Sequence, residues 1–213
     1  MAKAPVPGMV KTRLRLEPEE AARLQEALIS DTVEKARAVA PVTVAVSPAE
    51  SLYDIRRLVG SAGRVSLVAQ PEGDLGERMI AGARGLFAGG EGPVIVLGTD
   101  APTLPPEYIR EAARSLAGRG GHDAALVPSE DGGYVLIGLR APHAGLFEGM
   151  AWSTPEVHRR TLASARRAGL SVYEAPAWHD VDEPGDLDRL RAELSREPGL
   201  APYTARVLAE MDA

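Results

Sequence analysis

Asp100 and Asp182 are the side chains whose surroundings point most directly to chemistry. Asp100 lies in the stretch VIVLGTDAPTLPP, just past the apolar run Val94-Ile95-Val96-Leu97. Such a run fits a strand buried on both faces. Pro102 biases Ala101 towards extended backbone, so the chain does not turn at once into a helix. Pro105-Pro106 then suits a first helical turn, where missing N–H groups cost little. Asp100 therefore stands at the carboxyl end of a buried strand, the edge where open α/β sheets bind ligands. Asp182 lies in DVDEPGDL. With Pro184 at the first helical position, the cap falls on Glu183 and Asp186 takes the third position. Asp182 is then one residue outside the helix and free to bind something. Taken singly, Asp100 reads as a loop-shaping residue. As a pair, two strand-end carboxylates can hold one Mg²⁺ or Mn²⁺, with water and substrate phosphates completing the shell.

Three further loops carry suitable groups. KAPVPGMVKTRL opens the chain with Lys3, Gly8, Lys11 and Arg13 ahead of a helix. Phosphate oxygens need cations and free N–H groups, and glycine lets the backbone approach. The loop reads equally well as a solvated basic turn, and it is neither a P-loop nor a GxGxxG fingerprint. In QPEGDLGERM, Gln70 offers donor and acceptor to a base edge, and the helix start offers N–H groups to an anion. By itself the stretch reads first as a capped helix. In SEDGGYVLIGL, Asp131-Gly132-Gly133 permits positive φ and either a close approach to a ligand or a tight turn between strands. Trp152 suits stacking on a sugar or base as well as a place in a core. Ser153 and Thr154 before Pro155 read first as helix capping. His179 reads as structural.

These loops need a scaffold, and the pattern between them supplies one. A long amphipathic helix is expected from Pro18 to Val39, with Leu24, Leu28, Ile29, Val33 and Ala36 as its apolar stripe. Strands are expected at Val42–Val46, Val65–Ala69, Val94–Leu97, Ala124–Val127, Tyr134–Leu139 and Ser171–Glu174. Helices fall between them at Ser51–Val59, Leu75–Phe87, Pro105–Leu116 and from Pro155 to near Gly169, with two more after Asp182. The capping-box spacing of Asp74 and Glu77 marks the start of the Leu75 helix. Strands alternating with helices specify an α/β protein, three layers α/β/α around a mixed, mainly parallel sheet. Two strands without a helix between them, around Asp131, mark an antiparallel excursion.

The chain has 213 residues, read as one domain covering 1–213, with 45% hydrophobic and 25% charged residues. Lys+Arg 24 against Asp+Glu 30 leaves a net charge of −6, which argues against a nucleic-acid or membrane-surface binder. The cysteine count is 0, which removes disulfides, thiol nucleophiles and Cys zinc sites. Pro5, Pro7 and Gly8 interrupt the place where a signal peptide would be apolar. A cytoplasmic protein is expected, with the oligomeric state left open.

Read in order, KAPVPGMVKTRL, QPEGDLGERM, LGTDAPTLPP, EDGGYVLIGL, AWSTPEV and DVDEPGDL form a specific set from Lys3 to about Leu190. The chain resembles the bacterial family labelled transferase 1, rSAM/selenodomain-associated, whose members are provisionally assigned as glycosyltransferases. That family belongs to the nucleotide-diphospho-sugar transferase superfamily with a GT-A-like, Rossmann-like fold. KTRL, the Asp-x-Pro strand end and the DVD-x-P-x-D-L close are also similar to 2-phospholactate guanylyltransferases and, more distantly, to sugar-acid cytidylyltransferases. The resemblance implies that Lys11 and Arg13 bind nucleotide phosphates and that Gln70 and Gly76 line the nucleotide pocket. It implies metal binding by Asp100 and Asp182, with Asp131, Gly132, Gly133, Tyr134, Trp152 and Ser153 facing a second substrate. Three features depart from it. Met1-Ala2 directly precedes Lys3 where an apolar strand is usual, so the first strand is expected to be missing. Glu183 stands where threonine is common, and Thr99-Asp100 replaces the Asp-x-Asp of many GT-A enzymes.

The implied activity is a metal-dependent transferase using a nucleotide-activated substrate. In one version a sugar moves from an NDP-sugar to a small-molecule acceptor. In another an NTP gives its nucleotidyl group to a phosphorylated small molecule and releases pyrophosphate. In both, Asp100, Lys11 and Arg13 carry the chemistry by positioning and neutralising phosphates. A third reading is a non-catalytic nucleotide-binding protein.

Overall fold

The computed structural model describes residues 1–60 and 65–212. In chain order its first elements are β1 (Ala2–Lys3), α1 (Pro18–Arg37), β2 (Val42–Ser47), α2 (Leu52–Val59) and β3 (Val65–Ala69). Next come α3 (Leu75–Ala88), β4 (Val94–Leu97), α4 (Pro106–Leu116), β5 (Ala124–Pro128) and β6 (Tyr134–Leu139). The chain closes with α5 (Val157–Arg167), β7 (Val172–Glu174), α6 (Pro184–Arg196) and α7 (Pro202–Met211). Strands β3, β4 and β6 have the bounds expected from their apolar runs. No helix of the described residues is long and apolar enough to cross a membrane.

The chain forms two compact units. One comprises residues 1–69, 99–106 and 180–213, the other 70–98 and 107–179. In the first unit, β1, β2 and β3 form an all-parallel sheet in that order. The first strand, expected to be missing, is present as a short stub: Ala2 pairs with Val46 and Lys3 with Ser47. Helix α1 has two apolar stripes and packs in two directions. Leu24 and Leu28 join Leu187, Leu190 and Leu194 of α6 and Leu208 of α7, while Ile29 and Val33 join Val44, Val46 and Ile55. Packing on both sides stabilises α1, since packing of its apolar faces supplies most helical stability.

In the second unit the strand order is β4-β6-β5-β7. Strand β6 runs antiparallel to β4 and β5, and β7 runs parallel to β5. The antiparallel excursion expected around Asp131 is thus the β5–β6 hairpin. Its ladder shifts register between Val127 and Pro128, where proline has no N–H to give. Helix α3 starts with the expected capping box: Asp74 accepts from Glu77 N at 2.9 Å and Glu77 accepts from Asp74 N at 2.8 Å.

Candidate functional site

The amino-terminal loop is anchored by Leu14, a buried residue that joins the core made by α1, α6 and α7. Lys11, three residues earlier, adopts the left-handed conformation with φ 49° and ψ 31°. A lysine there is disfavoured by contact between its Cβ and the backbone, so other interactions must hold it. Those interactions sit at its ammonium. Nζ donates to Val181 O at 2.6 Å, lies 3.4 Å from Asp182 Oδ1 and pairs with Asp100 Oδ1. An ammonium has three N–H groups, and here each has an acceptor.

Asp100 and Asp182 reach this point by different routes. Asp100 follows β4 and lies in the loop Thr99–Pro106, and its carbonyl accepts from Val181 N at 2.9 Å. Asp182 precedes α6, whose cap falls on Glu183 with Pro184 in the first turn, as expected. The Asp186 carboxylate accepts from Asp182 N at 3.0 Å and Glu183 N at 2.8 Å. The Asp182 side chain is thereby left free to meet cations: Oδ1 faces Lys11, and Oδ2 accepts from Arg13 Nη2 at 2.7 Å. Lys11 is only 5% exposed, whereas Asp100 is 43% and Asp182 36% exposed. The cation is covered and its two carboxylates still face outward. Lys11, Arg13, Asp100 and Asp182 are thus brought together in the first unit. Lys3 and Gly8 share the loop but not the cluster. Lys3 offers its carbonyl to Gln25 at 3.3 Å, and Gly8 is exposed with φ +74° and open space where a Cβ would be.

The other expected site residues belong to the second unit. Asp131 Oδ1 accepts from Gly133 N at 2.8 Å, the bond of an Asx turn. Gly132 has φ +91°, and an added Cβ would lie 2.6 Å from Pro155 Cα. His158 N donates to Gly132 O at 2.9 Å. The Asp131–Gly133 turn is therefore seated on the segment leading into α5. Trp152 stacks on Phe147 with ring centroids 6.5 Å apart. It also covers Gly76, where a Cβ would fall 2.5 Å from Trp152 Cζ2. Trp152 Nε1 and Ser129 Oγ are buried and have no hydrogen-bond partner among the described residues. Burial also pushes the Tyr134 phenol above its ordinary range. Ser153 is left-handed at φ 59°.

One expectation is corrected here. Ser153 and Thr154 do not cap α5, which begins at Val157 with Glu156 as its cap residue. Thr154 Oγ1 instead donates to Ala151 O at 2.8 Å, closing a turn that takes the chain past Pro155. Gln70 is half-buried at the start of this unit.

Three residues of α1 escape a motif search. Gln25 donates to Thr99 Oγ1 at 3.3 Å, next to Asp100. Lys35 donates to the carbonyls of Pro102 and Leu104 in the Asp100 loop. Asp31 accepts from Thr204 N at 2.8 Å, Thr204 Oγ1 at 2.6 Å and Tyr203 N at 3.1 Å, capping α7. The available signal is their register. Gln25 lies four residues after Ala21 and three before Leu28, on the apolar stripe, where a polar residue must find a partner.

Residues 30–154 match the family described as "Uncharacterized protein conserved in bacteria (DUF2064)". No curated protein matches the chain in sequence. Among solved structures, one from Desulfovibrio desulfuricans G20 is provisionally described as a nucleotide-diphospho-sugar transferase. It is 32% identical, with a TM-score of 0.89 over 99% of this chain and 92% of that one. A CMP:2-keto-3-deoxy-manno-octonic acid synthetase complexed with CTP gives 0.58 at 14% identity, over 92% and 96% of the two chains. A 4-diphosphocytidyl-2C-methyl-D-erythritol synthase gives 0.52 at 14% identity, over 91% and 97%. These likenesses identify the fold as nucleotide-diphospho-sugar transferase-like.

Proposed function

This chain belongs to the DUF2064 family, and from that premise we propose that it is a divalent-cation-dependent transferase acting on a nucleotide-activated substrate. Glycosyl transfer from an NDP-sugar to a small-molecule acceptor is the reading we favour, in keeping with the description of the Desulfovibrio relative. The observation that carries it is the convergence of Asp100 and Asp182 on one cation, the Lys11 ammonium.

Those residues fit a hard divalent ion. Their donors are oxygens, they already share a positive charge, and both keep an outward face. Among the described residues no group of three or more His, Cys, Asp or Glu could hold a metal. Two carboxylates plus water and substrate phosphate is the habit of Mg²⁺ and Mn²⁺. Bound to Asp100 and Asp182, the ion would supply charge neutralisation for a leaving diphosphate. Lys11 would exchange a carboxylate for a phosphate oxygen and remain covered from water. Arg13, exposed and weakly held, would turn its planar fork to a phosphate. Trp152 and the Asp131–Tyr134 turn with Ser153 are the second unit's own candidates for contact with a substrate. The unpartnered Trp152 Nε1 supports this, since a buried donor without an acceptor is costly.

Nucleotidyl transfer from an NTP is a second reading. Thr99-Asp100 favours it, having one carboxylate where many glycosyltransferases have two. A thermal-shift screen of nucleotides and NDP-sugars with Mn²⁺ tests ligand class, because ligands stabilise by mass action. Free NDP from an NDP-sugar supports the first reading and pyrophosphate from an NTP the second. Binding with neither product would make the chain a non-catalytic nucleotide binder.

A further inference from the structure

The loop Thr99–Pro106 carries Asp100 and three prolines, at positions 102, 105 and 106. Each proline removes an N–H, so the loop has more carbonyls than donors and must borrow donors from elsewhere. Helix α1 lends two. Gln25 Nε2 reaches Thr99 Oγ1, one residue before Asp100. Lys35 Nζ donates to Pro102 O and, at 3.2 Å, to Leu104 O, on the other side of Asp100.

Lys35 is an unusual choice for this task. Both of its hydrogen bonds go to neutral carbonyls. Asp31, one turn back on the same helix, spends its oxygens on Tyr203 and Thr204. Burial pulls the Lys35 ammonium down to about 8, against the attraction of Asp31 and Glu193. A lysine kept at that cost is holding something. Lysine itself is rare: of the 24 basic residues only Lys3, Lys11 and Lys35 are lysines, and all three lie in the first unit. A compact ammonium on a flexible stem can meet several carbonyl or carboxylate oxygens from a covered position.

We propose that Lys35 is a positioning residue: by gripping the Pro102 and Leu104 carbonyls it sets the Asp100 loop, and so directs the Asp100 carboxylate at the Lys11 ammonium. Its bearing on catalysis rests on the function proposed above, but its action on Asp100 does not.

The test uses the full chain labelled with ¹³Cε-lysine, whose three lysines give three NMR signals. In Lys35→Met, the Lys11 signal is expected to move towards its position in Asp100→Asn. Amide exchange at Asp100, Thr103 and Leu104 is expected to speed up about tenfold. Lys35→Arg, which keeps charge and reach, should restore much of both. If Lys35→Met is folded, with the Lys11 signal and the loop exchange unchanged, Lys35 merely fills space and the proposal is overturned. Should Lys35→Met not fold, the same two readouts on Lys35→Gln decide. Mn²⁺ affinity, from the EPR signal of the free ion, is measured in parallel. It is expected to fall about tenfold in Lys35→Met. A wild-type chain that binds no Mn²⁺ would sink the metal reading, while the Lys11 signal still decides for Lys35.

Discussion

Asp182 Oδ1 lies 3.4 Å from the ammonium of Lys11, although the two residues stand near opposite ends of the chain. Lys11 is also bonded to Val181 O, so the segment before α6 grips the amino-terminal loop through backbone and side chain together. Asp100 completes the arrangement. The cluster is a cation held by two anions that remain partly open to solvent.

The first prediction concerns Asp100. Its carboxylate is 43% exposed, so the pair with Lys11 is screened and contributes about 1 kcal/mol or less. Asp100→Asn should therefore lower Tm by only a few degrees. It should also abolish Mn²⁺ binding and any metal-dependent turnover. Calorimetry and Mn²⁺ titration on the same sample check both halves; a large loss of Tm would make Asp100 structural.

A second prediction concerns Gly76. A methyl group there would meet Trp152 Cζ2 at 2.5 Å and Phe147 Cβ at 2.9 Å, both within the packed second unit. Gly76→Ala should cost about 1–3 kcal/mol through overpacking. It should also change the near-ultraviolet circular dichroism of Trp152. A variant with native stability and an unaltered spectrum would mean the ring moves away freely.

Asp31 supplies a third. Its carboxylate is almost fully buried and takes the first free N–H groups of α7. Asp31→Ala should cost about 2 kcal/mol, combining a lost cap with buried donors left unpaired. Exchange should accelerate along residues 202–211 before the rest of the chain. Urea denaturation and peptide-level exchange read the two effects.

The pH dependence of stability gives a fourth. Burial holds Lys35 at about 8 in the folded protein, against 10.5 when free. Between those values the unfolded chain binds the proton that the folded chain lacks. Stability from this group therefore rises with pH across that window and is flat below it. The stability of the wild type relative to Lys35→Met should increase between pH 8 and pH 10 in denaturant melts. A gap that narrows would contradict the burial of Lys35. Asp31, raised by burial, acts in the opposite sense: its contribution grows as the pH falls towards 3.8.

Much of this protein was legible before folding was considered. Val94–Leu97, the Asp74–Glu77 capping box and Pro184 after Glu183 are short-range signals, and each gave its element or cap within a residue or two. Asp182 was identifiable as a spare carboxylate because Pro184 puts the helix cap on Glu183, and the structure adds that Asp186 satisfies the backbone N–H groups beside it. These features depend on backbone hydrogen bonds a few residues apart, which local sequence specifies.

Long-range partners were decided only by the tertiary structure. Nothing near Lys11 says that its ammonium turns inward to two carboxylates, because the second lies beyond α5 and β7. The register of Gln25, Asp31 and Lys35 marks them as polar residues beside an apolar stripe, but which groups they meet emerges only once α1 is found to be packed on two sides. The two-residue β1 has no periodicity to detect, and only the edge of β2 makes it a strand. Which distant groups meet depends on how the cores close around them, and the periodicity of any one segment does not encode that.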